Sequence, residues 1–133
     1  MKTRDIISAF VVGVSLLATS ATRAEWIHVQ DNYAFNTDHF VINGPMRTAF
    51  VRLDKPGVRD GKRYAYMVVR QEVDCASWTM SVLSIAKYDS KGKAVDSATI
   101  PAVYRKDLQI FPETKADLLA KTVCAISSEK DFP

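Results

Sequence analysis

The fold of this 133-residue chain is decided by the stretch from Tyr64 to Cys75, which reads YAYMVVRQEVDC. Counting by twos puts one mostly apolar set on a single face of a strand: Ala65, Met67, Val69, Gln71, Val73 and Cys75. Only Gln71 is discordant there. The opposite face receives Tyr66, Val68, Arg70, Glu72 and Asp74. The alternation predicts a long β-strand with one face buried.

A second long strand is expected from Trp78 to Tyr88. Its apolar pattern changes phase at Val82-Leu83, which indicates a bulge or burial on both faces. The turn residues Asp89-Ser90-Lys91-Gly92 then predict a reversal, and Lys93 to Ile100 returns as the antiparallel partner.

Shorter strands are predicted on the N-terminal side of this hairpin, from apolar and aromatic runs between turn residues. They cover residues 26–29, 33–36, 39–42 and 47–53. The polar run from Lys55 to Arg63 is expected to be an exposed loop between two strands. In residues 101–110 the pattern is ambiguous, with a short final strand as one interpretation.

One helix is predicted near the C-terminus, because the apolar spacing changes from two to 3.6 after Pro112. Its apolar face consists of Ala116, Leu119, Ala120, Val123 and Cys124. Pro112 suits a first helical turn, and Glu113 complements the positive end of the helix dipole.

The chain contains two cysteines, Cys75 and Cys124, and we predict that they form a structural disulfide. A redox-active pair is the alternative, but that chemistry usually needs Cys-x-x-Cys spacing. Because a disulfide brings its two Cα atoms within about 4.4–6.8 Å, the helix must lie across the strand that carries Cys75. The predicted fold class is therefore α+β: a single antiparallel sheet of about five or six strands, with one C-terminal helix packed on one face and tied to it by the disulfide.

The N-terminus is typical of a signal peptide, with Lys2 and Arg4 before the apolar stretch from Ile6 to Ala18. That stretch is too short for a membrane anchor, which needs roughly 20 residues. Cleavage is expected after Ala24, with Ala21 as the alternative, which gives a signal peptide over residues 1–24 and one domain over residues 25–133. No cysteine follows the apolar stretch closely, so we expect a soluble periplasmic or secreted protein that is not a lipoprotein and keeps no stable membrane anchor.

Charge and residue types exclude several classes of function. Removing residues 1–24 lowers the formal net charge from +3 to about +1, and a nucleic-acid binder would show a strong basic excess. The two histidines, His28 and His39, have no third ligand at metal-binding spacing, so neither a metal nor a cofactor is expected. No nucleophile or phosphate-loop motif is present, and a non-enzymatic protein is predicted.

Binding of another protein is the function that remains. One helix can cover only one face of the sheet, so the other face is free to form a binding surface. Aromatic side chains on the other face would form a partly exposed apolar surface, although they would alternatively complete the core. The candidate contact residues lie in the polar run and just after it: Lys55, Arg59, Lys62, Arg63, Tyr64 and Tyr66. A simple solvated loop is the alternative for the charged members.

The order of short motifs resembles that of the surface-adhesin protein E-like domain of Gram-negative bacteria. The matching residues are Trp26, Tyr33-Ala34-Phe35 with Asp38, Thr48 to Leu53, Val73-Asp74-Cys75, Tyr88-Asp89 with Gly92 and Val95, Ile110-Phe111-Pro112, and Val123-Cys124. The resemblance implies an adhesin-like protein that binds a host matrix or envelope protein, in some members as a homodimer. The alternative function is a periplasmic inhibitor of a secreted hydrolase such as lysozyme, against which the near-neutral charge counts.

Overall fold

The computed structural model describes residues 25–133 together with Gly13. The predicted signal peptide, residues 1–24, otherwise lies outside this described part. The strands are β1 (Trp26–Gln30), β2 (Tyr33–Asn36), β3 (Val41–Asn43), β4 (Met46–Leu53), β5 (Gly57–Arg59), β6 (Lys62–Tyr64), β7 (Tyr66–Asp74), β8 (Thr79–Tyr88), β9 (Ala94–Thr99) and β10 (Leu108–Gln109). The helix is α1 (Lys115–Cys124), and short 3₁₀ turns occupy Ala102–Tyr104 and Glu129–Asp131.

Eight of the strands form one antiparallel sheet in the order β1, β2, β4, β7, β8, β10. Strand β3 pairs with the first half of β4, beside the part that β2 occupies, and β9 pairs with the second half of β8. The remaining strands, β5 and β6, form a separate two-stranded ribbon. The three long strands β4, β7 and β8 are therefore the centre of the molecule.

The predicted hairpin of β8 and β9 is confirmed. Of the two interpretations of the phase change in β8, a bulge or burial on both faces, the structure shows the bulge. The register between β7 and β8 shifts at Arg70 and Gln71, where Gln71 pairs with Val82 and Arg70 pairs with Ser84. Leu83 is the extra residue in between, and its side chain is buried. The phase change in the sequence therefore marks a real bulge.

One face of the sheet forms the core with α1. Leu119, Ala120 and Val123 of the helix belong to a single buried cluster with sheet residues that include Phe35, Val51 and Val73. This confirms the predicted apolar stripe of the helix. The discordant Gln71 also points into this side, where its Oε1 lies 3.5 Å from the Tyr33 hydroxyl.

The predicted disulfide is present between Cys75 and Cys124, with 5.8 Å between their Cα atoms. It joins the residue after β7 to the last residue of α1. In the chain-entropy description, a cross-link of this span stabilises the fold by roughly 4 kcal/mol, because it restricts the unfolded chain.

The prediction of an α+β fold with a single sheet of five or six strands is wrong. The structure is mostly β, with an eight-stranded sheet, a second small sheet and one helix of 10 residues. The sheet is larger because all three short N-terminal segments pair with each other or with β4. The second sheet arises within the run predicted to be a loop, where Asp60 and Gly61 adopt positive φ angles of 49° and 75° and turn β5 into β6.

Candidate functional site

The face of the sheet opposite α1 carries the candidate site, which we call the open face. Strand alternation places Phe50 and Arg52 of β4 on this face beside Tyr66 and Val68 of β7. In the part of the chain that the structure describes, these side chains are only half-buried. They line a shallow cavity of about 280 Å³. Its complete lining is Trp26, Asn36, Asp38, His39, Phe50, Arg52, Tyr66, Val68 and Tyr88.

An aromatic ladder runs across three neighbouring strands at one side of this cavity. Tyr66 of β7 pairs directly with Tyr88 of β8, and their rings stack with centroids 5.2 Å apart and planes 9° apart. The guanidinium carbon of Arg52 lies 3.8 Å from the centroid of the Tyr66 ring. Arg52 Nε also donates to Asp54 Oδ1 at 2.8 Å, which fixes the guanidinium over the ring. The ladder is thus ordered before any partner arrives.

The turn after β2 forms the opposite rim. Asn36 Oδ1 accepts a hydrogen bond from the Asp38 main-chain N–H at 2.7 Å, which holds the turn. His39 adopts a positive φ of 56° and directs its ring edge-on against Phe50, with centroids 6.1 Å apart. Its Nε2 lies 3.4 Å from Asp38 Oδ2. A carboxylate and an imidazole therefore stand at the edge of an otherwise aromatic cavity.

This composition suits contact with another macromolecule. Tryptophan, tyrosine and arginine dominate the residues that contribute most to protein–protein binding. Here Arg52, Tyr66 and Tyr88 are stacked against each other, and Trp26 lines the same cavity. Within residues 25–133, no group of three or more histidine, cysteine, aspartate or glutamate side chains is arranged to hold a metal ion. The open face therefore offers π-surfaces, hydroxyl groups and a few charges as its chemistry.

The six residues predicted as contacts do not form one surface. Tyr66 lines the cavity of the open face. Tyr64, only two positions earlier, lies on β6 with its ring centroid 5.3 Å from Lys87 Nζ. Because Lys87 pairs with Met67, it belongs to the face that α1 covers. The ribbon therefore folds toward that side, away from the open face.

The charged members of the predicted set lie on or just before the ribbon. Arg59 Nε is 3.6 Å from Asp60 Oδ2 and 3.9 Å from Asp96 Oδ2. Lys55, Lys62 and Arg63 are exposed. Tyr66 is thus the one member of the predicted set that the structure places in the cavity.

Sequence reasoning missed most of the cavity, above all Phe50, Arg52 and Tyr88. Each lies on a strand that was predicted, so the missing information was the pairing between strands. Once β4 is set against β7 and β7 against β8, alternation alone brings Arg52, Tyr66 and Tyr88 to the same face. The positions of Asp38 and His39 depend on the turn after β2, whose conformation cannot be predicted from the sequence.

Comparison with models of protein families identifies one family. The family described as "Surface-adhesin protein E" matches residues 18–125 of this chain. The comparison with curated proteins found no match. No helix in the described part of the chain is long and apolar enough to cross a membrane.

Solved structures of protein E from Haemophilus influenzae share the fold. One, from a non-typeable strain, has a TM-score of 0.61 at 14% identity, covering 85% of this chain and 84% of that one. A second has a TM-score of 0.60 at 15% identity, covering 79% and 87%. A second crystal form has a TM-score of 0.61 at 15% identity, covering 79% and 91%. At these identities the likeness establishes the fold.

Proposed function

This chain belongs to the surface-adhesin protein E family, and from that premise we propose that it is an exported, non-enzymatic protein whose open face binds another protein. The single observation that carries the proposal is the ordered ladder of Arg52, Tyr66 and Tyr88 beside a cavity that α1 leaves uncovered. The partner expected for this family is a host matrix or envelope protein.

Rigidity supports this role. Ordering flexible side chains at an interface has an entropic cost, which weakens binding. Here Arg52 is already held by Asp54, and each tyrosine ring is already held by its neighbour. A partner that buries this ladder therefore immobilises few additional side chains, so more of the contact free energy remains as affinity.

Protein contact through the basic ribbon residues Lys55, Arg59, Lys62 and Arg63, with Tyr64, stays a prediction. So do residence in the periplasm or outside the cell, the absence of a lipid anchor, and assembly as a homodimer. Sedimentation over a range of protein concentrations tests the dimer, and fractionation of expressing cells tests the location.

The test of the open face compares variants against a panel of purified matrix and serum proteins in a surface-binding assay. Tyr66→Ala removes the middle of the ladder, and Trp26→Ala removes the largest aromatic side chain of the cavity. We expect either change to weaken binding by tenfold or more, since central aromatic contacts commonly contribute about 2 kcal/mol or more.

Tyr104→Ala is the matched control, because Tyr104 is exposed in the 3₁₀ turn at Ala102–Tyr104 and lies outside the cavity. It should bind like the unchanged protein. Equal losses in Tyr66→Ala and Tyr104→Ala, or no bound protein in the panel, would overturn the proposal.

A further inference from the structure

We infer that a second surface, which adjoins the open face where Gly92 lies against the Tyr66 hydroxyl, binds a sulfated polysaccharide. This surface, the basic end, consists of the charged residues within 55–63 and 87–96, which lie on and just before the ribbon and around the turn between β8 and β9. Tyr88, within the second range, belongs to the open face. The basic end contains seven lysines and arginines and three aspartates. The other residues from Glu25 to Pro133 contain eight basic and eleven acidic residues. Positive charge is therefore concentrated at the basic end, whereas the rest of residues 25–133 has a net negative charge.

The two segments lie side by side in the structure. The main-chain N–H of Ala65, directly after β6, donates to the Tyr88 main-chain oxygen at 2.7 Å. Arg59 of the ribbon and Lys87 of β8 both approach the Asp96 carboxylate, at 3.9 Å and 3.8 Å. The ribbon is thus docked on the end of the β8–β9 hairpin, and the cations of both segments share one region.

The three aspartates of the basic end are already engaged. Asp89 Oδ1 accepts hydrogen bonds from the main-chain N–H groups of Lys91 and Lys93, each at 2.9 Å. Asp96 is shared by two cations, and Asp60 lies near Arg59. The remaining cations are exposed and make no salt bridge within residues 25–133: Lys55, Lys62, Arg63, Lys91 and Lys93. Five cationic side chains are therefore available to an outside anion, in a surface whose net charge is about +4.

The pairing of strands β5 and β6 within the ribbon also supports binding of a polyanion. Arg59 lies directly opposite Lys62 in the β5–β6 register. Like charges at directly opposed positions destabilise an antiparallel pair. Asp60 and Asp96 lie near Arg59 and offset part of this repulsion, and an external polyanion at Lys62 would offset the remainder.

The chemistry of the surface favours a polysaccharide over other polyanions. Single-stranded nucleic acids bind basic grooves that also carry exposed aromatic rings for base stacking. The two aromatic residues nearest these cations are both half-buried and already packed: Tyr64 against Gly57 and beside Lys87, and Tyr88 against the Tyr66 ring. Insertion into a membrane surface uses a broad apolar face, and Val58 is the one large exposed apolar side chain on the ribbon. A chain of closely spaced sulfates needs only spaced cations.

The experiment titrates the purified protein with size-defined heparin oligosaccharides at several salt concentrations. The pairs Lys62→Gln with Arg63→Gln and Lys91→Gln with Lys93→Gln each remove two available cations. We expect each pair to weaken binding by about tenfold and to lower the slope of log affinity against log salt by about two, one per lost cation. The control pair is Lys106→Gln with Lys130→Gln, which removes the same charge at exposed residues outside the basic end and should change neither quantity.

Three results would overturn the inference: equal weakening by the control pair, duplex or single-stranded DNA of equal length binding as tightly as heparin, or vesicles of anionic lipid binding more tightly. Unsulfated hyaluronan should bind at least tenfold more weakly than heparin if sulfate spacing matters. The proposal is independent of protein binding by the open face, because Trp26→Ala, a change in the cavity and outside the basic end, should leave heparin binding unchanged whatever it does to protein binding.

Discussion

Arg47 Nε donates a hydrogen bond to the Ile126 main-chain oxygen at 2.9 Å, and so connects residues 79 positions apart in the chain. Its Nη1 donates to the carbonyl oxygens of Gly44 at 2.7 Å and Met46 at 3.0 Å. The residue is buried, with 8% of its surface exposed. A guanidinium held by main-chain carbonyls thus fixes the segment after α1 to the start of β4.

Replacing Arg47 by Met should lower the free energy of unfolding by about 2–3 kcal/mol, because the buried Ile126 carbonyl and two partly buried carbonyls lose a charged donor. Arg47→Lys should restore little, since one ammonium group cannot reach all three carbonyls in the same fork geometry. Urea denaturation monitored by tryptophan fluorescence measures both changes. A loss below about 0.5 kcal/mol, the level of an ordinary surface substitution, would show that the contact is not structurally important.

Breaking the disulfide is expected to destabilise the domain. Cys75→Ser should lower the free energy of unfolding by about 2–5 kcal/mol. Cys124→Ser and the double replacement should give nearly the same value, because the bond is already lost in either single variant. Denaturation in the absence of reductant measures the three variants side by side. Single replacements that left stability unchanged would mean that the native protein does not hold the cross-link.

Acid should weaken the start of α1. The Lys121 ammonium, 2.9 Å from Asp117 Oδ2, lowers the pKa of the Asp117 carboxyl; burial opposes this shift, and the Glu113 N–H lowers the pKa further. A lowered pKa in the folded state stabilises the fold above the ordinary value of about 3.9, and that stabilisation is lost as pH falls through the folded-state value. Asp117→Asn should therefore be less stable than the unchanged protein at pH 7, and the difference should shrink below about pH 4. Denaturation across this pH range tests it, and a difference that stayed constant would contradict it.

High pH should destabilise the fold through ionisation of the Tyr33 phenol. Burial raises the pKa of the Tyr33 phenol from 10.0 to about 12. The neutral phenol therefore favours the folded state fully below pH 10, and the stabilisation is lost as the pH rises from 10 towards 12. Tyr33→Phe should flatten this alkaline loss of stability. Phenolate absorbance should show one late-titrating tyrosine that is missing in the variant, and simultaneous titration of all tyrosines would contradict the assignment.

The parts of the fold that the sequence predicts are those with local signals. The helix stripe of Leu119, Ala120 and Val123 and the β8–β9 hairpin both follow from spacing within about ten residues. The number of strands in the sheet depends instead on long-range pairing, because β1 to β3 are short and their apolar patterns are weak. The second sheet had a local signal, Asp60-Gly61 between two short runs, but its charged neighbours made the segment resemble a loop.

The candidate site was less predictable for a different reason. Residues two apart in a continuous strand share a face, so Tyr64 and Tyr66 would be neighbours if the strand ran through both. The strand is interrupted at Ala65, and the two rings end on opposite sides of the sheet. One residue outside regular pairing therefore separates Tyr66, in the cavity of the open face, from the other predicted contact residues, which lie on or just before the ribbon.

The cross-link between Cys75 and Cys124 also determines how the molecule responds to mechanical force. When tension is applied between Glu25 and Pro133, the 49-residue span that the cross-link closes cannot extend. At about 3.5 Å per residue, the cross-link shortens the fully extended chain by roughly 170 Å. Strand β8, its hairpin partner and α1 remain inside the closed loop, so a molecule stretched by flow would keep that loop compact while the strands on its N-terminal side are drawn out.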